Sequence, residues 1–81
     1  MSRSQRPVAP GWKRPYLHAV GLRLREVREE RGLSREELAA RLGSTRGHVR
    51  KLESGLHAPR PDMVARLADA LGVPVSELEP R

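Results

Sequence analysis

The sequence predicts an all-α fold: five short helices packed as one compact domain over residues 19–81, preceded by a flexible or extended basic arm over residues 1–18. Three observations carry that prediction. From residue 19 onward the apolar residues recur at three- and four-residue intervals and nowhere alternate, which is the period of helices and not of strands. The periodic stretches are closed by glycines at 32, 43, 55 and 72, the residue type that most readily takes the left-handed conformation ending a helix. And 81 residues without a cysteine cannot staple a small core covalently, so helix packing has to supply the stability.

Taken in order, the first 18 residues hold Pro7, Pro10, Pro15 and Gly11 without an apolar period, and read as the arm. Val20, Leu24, Val27 and Arg31 fall on one helical face, giving a first helix over about residues 19–31 that Gly32 stops. Ser34 followed by Glu37 is a capping box that opens the second helix, with Leu38, Ala39 and Leu42 as its apolar stripe and Gly43 as its end. Thr45 is an N-cap for a third helix, whose inward residues are Val49 and Leu52 and whose end is Gly55. Helices of two turns do not stand alone in water, so both must pack on neighbours. Residues 56–60 form a loop. Pro61 then suits a first helical turn and Asp62 complements the dipole of a fourth helix that buries Val64, Leu67, Ala68 and Leu71. A last short helix over residues 75–79 docks Leu78.

Sixteen Lys and Arg against ten Asp and Glu leave a net charge of +6, which calls for an anionic partner, nucleic acid above all. The charge is uneven. Arg3, Arg6, Lys13 and Arg14 meet no acid in the first 19 residues, and Arg46, Arg50, Lys51 and Arg60 meet only Glu53 between 43 and 60, whereas residues 61–81 are acidic. Trp12 and Tyr16 are the only aromatics, too few for a platform that stacks RNA bases. His18, His48 and His57 are isolated, so no metal site is expected. With no nucleophile–base pair and no phosphate loop, neither an enzyme nor a cofactor is expected. No apolar run approaches the roughly 20 residues of a membrane span and the N-terminus lacks the apolar stretch of a signal peptide, so a soluble, cytoplasmic, nucleoid-associated protein is expected.

Two short helices about the turn Gly43-Ser44-Thr45, followed by two more, have the layout of a helix-turn-helix. The third helix can enter a major groove only with one side free. Val49 and Leu52 pin one side, leaving Arg46, Gly47, His48, Arg50 and Lys51 outward. Clustered cations repel unless an anion meets them, although a merely solvated basic face has the same pattern. The chain has no Asn, and its one Gln is Gln5 in the arm, so adenine's usual bidentate partners are missing. Arg46, Arg50 and Lys51 match the O6 and N7 acceptors of guanine, with Thr45 suited to a thymine methyl.

From residue 20 onward the sequence resembles the Cro/CI (XRE) family of transcriptional regulators. The resemblance rests on Gly32-Leu33-Ser34, Glu37-Leu38-Ala39, Leu42-Gly43, Val49, Leu52-Glu53-Ser54-Gly55, Pro59 and Leu67-Ala68-Asp69-Ala70-Leu71-Gly72-Val73, and covers about 60 of the 81 residues. It implies a lambda-repressor-like domain that binds double-stranded DNA and regulates transcription, as a repressor and as a homodimer on a two-fold site. It implies base contacts from Thr45, Arg46, Gly47, Arg50 and Lys51, phosphate contacts from Arg35, Ser44, Ser54, His57 and Arg60, and an ion pair between Arg28 and Glu53 that sets the angle of the third helix. Two positions depart from the pattern. Gly47 has no side chain with which to read a base, and Arg35 stands where the family often has Gln, keeping the phosphate role and losing the amide's bracing role. Because the sequence ends right after the fifth helix, a dimer contact is expected from helices 4 and 5 with their preceding loop, or from the arm. Leu22 is off the core face and offers a seat for Trp12 or Tyr16. The alternative reading is a protein-interaction module, antitoxin-like or coactivator-like, with Trp12 and Tyr16 as anchors and DNA binding secondary.

Overall fold

Four α-helices and one 3-10 turn account for the described residues of this computed structural model, which are residues 14–80. The helices are α1 (Arg14–Glu30), α2 (Arg35–Leu42), α3 (Arg46–Ser54) and α4 (Pro61–Leu71), and the 3-10 turn is Val75–Leu78. No strand occurs among the described residues. Two boundaries correct the sequence-based expectation. Helix α1 starts at Arg14, so residues 14–18 are helical where an extended arm was expected. Pro15 permits this because it sits in the first turn, where its missing N–H has no acceptor to lose. The expected fifth helix is one 3-10 turn, confined between Pro74 and Pro80. Residues 1–13, including Trp12, lie outside the described residues.

Local chemistry builds the two short helices. At α2 the capping box is complete: the Glu37 N–H donates to Ser34 Oγ at 3.0 Å, and the Ser34 N–H donates to Glu37 Oε1 at 2.8 Å. The hydrogen bond from the Ser34 backbone holds the Glu37 carboxyl below its ordinary pKa. At α3 the hydroxyl of Thr45 accepts from the His48 N–H at 3.1 Å. Gly43 joins the two helices with φ of 68°, a left-handed turn that suits glycine.

The buried face is aliphatic. Leu24 and Val27 of α1, Leu38 and Leu42 of α2, Val49 and Leu52 of α3, and Leu67 and Leu71 of α4 meet in one cluster that Leu78 closes. Val20 is only half-buried, and Arg31 lies beyond the end of α1 on the surface. Where α1 crosses α3 the backbones touch: a Cβ on Gly21 would stand 2.3 Å from the Glu53 carbonyl oxygen. The first turns of α1 also cover the end of α3, with His18 lying against Gly55.

Arginines tie the helix ends together. Arg31 donates to the carbonyl of Gly72 at 2.7 Å and Arg41 to that of Ala70 at 2.9 Å, both at the C-terminal end of α4, while Arg66 donates to the carbonyl of Leu42 at the end of α2. These carbonyls have no partner within their own helices and carry the negative end of the dipole. Buried Arg23 binds both the carbonyl (2.7 Å) and the carboxylate (2.9 Å) of Glu77, fixing the 3-10 turn to α1.

Candidate nucleic-acid interface

Helix α3 is held on one side and open on the other. Val49 and Leu52 face the core, and between them and the surface lies Glu53, whose side chain is 3% exposed. A buried carboxylate must be compensated. Arg28 of α1 donates from Nε to Glu53 Oε2 at 2.5 Å and from Nη2 to Oε1 at 3.1 Å, and Arg35 of α2 adds an Nε donor to Oε1 at 3.0 Å. Three N–H groups on one carboxylate thus link α1, α2 and α3. The hydrogen bond to Glu53 raises the Arg28 pKa further above its already high ordinary value.

The open side carries Arg46, Gly47, Arg50 and Lys51, all exposed, with Thr45 exposed at the helix start. Arg46 is engaged at the surface by Glu36 of α2, with Nε 3.0 Å from Oε2. His48 is half-buried, its Nδ1 2.7 Å from the hydroxyl of Ser44, which straps the turn to the helix. His57 and Arg60 are exposed in the loop after α3. With His48, Leu52, Pro59 and Met63 they line a shallow cleft beside it.

The residues named as phosphate contacts therefore differ in their surroundings. His57 and Arg60 lie open beside α3. Arg35 is half-buried and bound to Glu53, Ser44 is bound to His48, and the Ser54 hydroxyl donates to the Lys51 carbonyl at 2.9 Å. Arg35 thus braces α3 through Glu53 and makes no contact with the residue that begins the helix.

Composition had suggested that the arginines mark an anion-binding surface, yet most of those described have internal work. Arg23, Arg28, Arg31, Arg35, Arg41 and Arg66 bind carboxylates or helix-end carbonyls, Arg25 pairs with Glu29, and Arg46 pairs with Glu36. Among the described residues whose side chains are placed, the Lys and Arg side chains without such a partner are Arg50, Lys51 and Arg60. All three lie on α3 or in the loop that follows it. Sequence reasoning missed Arg23, Arg31, Arg41 and Arg66; the one available signal was basic residues placed near helix C-termini, as with Arg41 in the last turn of α2.

A family model described as helix-turn-helix matches residues 24–78. Over 49 residues, 60% of this chain and 71% of the relative, the chain is 47% identical to an uncharacterized HTH-type transcriptional regulator of Methanothermobacter thermautotrophicus. It is 36% identical over 56 residues to the cryptic phage CTXphi transcriptional repressor RstR of Vibrio cholerae, spanning 69% of this chain and 50% of that protein. Among solved structures, the restriction-modification controller protein C.AhdI from Aeromonas hydrophila matches with a TM-score of 0.78 and 36% identity, covering 82% of this chain and 96% of that one.

Proposed function

The chain belongs to the helix-turn-helix family, and we propose that within it this protein is a sequence-specific, double-stranded DNA-binding transcriptional regulator that presents α3 to the major groove. One observation carries the reading: α3 is pinned by Val49, Leu52 and Glu53 on one side, while the described cations without an internal partner gather on its other side and in the next loop. Such a face gains little from folding and much from meeting phosphates and base edges. Arg46, Arg50 and Lys51 read guanine, Thr45 stands where it meets a thymine methyl, and Arg60 and His57 meet the backbone. The arm, with Arg3, Arg6 and Lys13, follows the adjacent phosphates or minor groove.

A repressor is the regulatory sense we favour, on the kinship with RstR, a named transcriptional repressor. A homodimer is the binding unit, because one domain this small spans only a few base pairs. An apolar depression lined by Tyr16, Leu17, Val20, Pro59, Val64 and Val75 supports self-association near the loop and the 3-10 turn. The reading as a protein-interaction module has less to stand on: Tyr16 is exposed on α1 instead of on an extended arm.

Selection of duplexes from a randomised pool tests the proposal. The expected product is a two-fold site with an essential G·C pair in each half. Replacing that guanine by 7-deazaguanine, which removes N7 and keeps pairing, is expected to weaken binding by about 1 kcal/mol, and Lys51→Ala or Arg46→Ala by about 1–3 kcal/mol on that site alone. No enrichment from the pool would sink the assignment.

A further inference from the structure

Gly47 is the described glycine for which the fold supplies no reason. Gly32, Gly43, Gly55 and Gly72 have positive φ, and Gly21 lies where a Cβ would strike the α3 backbone. Gly47 has neither excuse. Its φ is not positive, and an added Cβ would meet only Thr45 Oγ1, at 4.0 Å. It is the exposed second residue of α3. Glycine is the poorest helix former after proline, so folding by itself favours alanine here.

The neighbours suggest what the missing side chain is for. Three and four residues on, and so on the same face of the helix, are Arg50 and Lys51. Helical side chains lean toward the N-terminus, which directs these two cations over the turn that Gly47 leaves bare. The result is an exposed stretch of helix backbone beside two side chains whose donors suit a guanine edge.

We propose that Gly47 is the point of closest approach between α3 and the duplex, where the edge of a base pair seats directly on the helix backbone. The inference rests on the reading of α3 as the helix that enters the groove. A methyl group at this position holds the helix away from the base edge by its own thickness, and so lengthens the hydrogen bonds that Arg50 and Lys51 make on either side. Glycine here is a specificity device obtained at the expense of helix stability.

The test compares the full chain with its Gly47→Ala variant in two measurements. Thermal unfolding is expected to show the variant melting about 2–8 °C higher. Binding is read by fluorescence anisotropy on the duplex that the wild type selects from a random pool and on an unrelated duplex of the same length. The variant is expected to bind the selected duplex at least about tenfold more weakly and the unrelated one within about twofold of wild type. A variant that binds the selected duplex as well as wild type, or that loses equally on both, overturns the inference while leaving the reading of α3 intact. A lower melting temperature gives Gly47 a structural role and overturns it as well. If the wild type selects no duplex, the reading of α3 itself fails, and this inference with it.

Discussion

At Glu53 three N–H groups from α1 and α2 converge on a carboxylate that belongs to α3. The two arginines are not equivalent. Arg28 contacts both oxygens and has 8% of its side chain exposed, whereas Arg35 contacts one and has 30% exposed. Arg28→Ala is therefore expected to cost about 3 kcal/mol, since it strands most of a buried charge, and Arg35→Ala roughly 1 kcal/mol. Urea unfolding of the two variants checks the order, and equal losses would contradict the geometry. A second residue-level prediction concerns Arg46. Glu36 competes with any external acceptor for its Nε, but both side chains are more than half exposed, so the pair is weak and screened by salt. Glu36→Gln is expected to tighten DNA binding severalfold at low ionic strength, and titrations repeated at high salt should show the advantage vanish.

Helix α2 has eight residues and depends on its ends. Its capping box joins Ser34 and Glu37 by two hydrogen bonds, and its C-terminal carbonyls are met by Gly43, Ser44 and Arg66. Because the folded Glu37 pKa is depressed, its contribution to stability is present above the unfolded carboxyl value, about 4.3, and is lost as pH falls through the folded value. The melting temperature of wild type is thus expected to exceed that of Glu37→Ala by a constant margin at neutral pH, and the margin should close on acidification. A gap that persists at pH values below the folded pKa would show that the carboxylate charge is not what the cap uses. Helix α3, by contrast, has no acidic residue in its first turn, which leaves the positive end of its dipole available to an external anion.

Over the whole molecule, charge divides into a part consumed by the fold and a part left over. The consumed part holds the helices together at their ends, through Arg23, Arg31, Arg41 and Arg66. Among the described residues whose side chains are placed, the remainder, Arg50, Lys51 and Arg60, sits around α3. Acidic Asp62, Asp69, Glu77 and Glu79 occupy α4 and the segment after it. If Arg60 neutralises a phosphate, replacing it by alanine should lower the slope of log K against log salt by about 0.9. Removing Arg25, which is paired with Glu29 on the exposed face of α1, is expected to leave that slope nearly unchanged.

The helix ends, the helix-turn-helix layout and most of the core were legible in the sequence because their signals are local. Ser34 with Glu37, Thr45, Gly43 and Gly55 act on groups within a turn of themselves, and the apolar period of Leu38, Leu42, Val49 and Leu52 declares the buried face before any partner is known. The start of α1 was missed because Pro15 stops helices in general but not in a first turn, and the packing of His18 on Gly55 that favours the longer helix joins distant parts of the chain. What only the tertiary structure decided was the use of each cation. An arginine side chain is long enough to serve a carbonyl, a carboxylate or an external phosphate, and nothing within a few residues says which. Arg23 finds Glu77, Arg31 finds Gly72 and Arg35 finds Glu53 only after the helices have packed. The same packing shows Gly47 to be open space. Periodicity and caps act over a turn of chain and can be read from it, whereas the partner of a long charged side chain is set by which helix ends the fold brings within its reach.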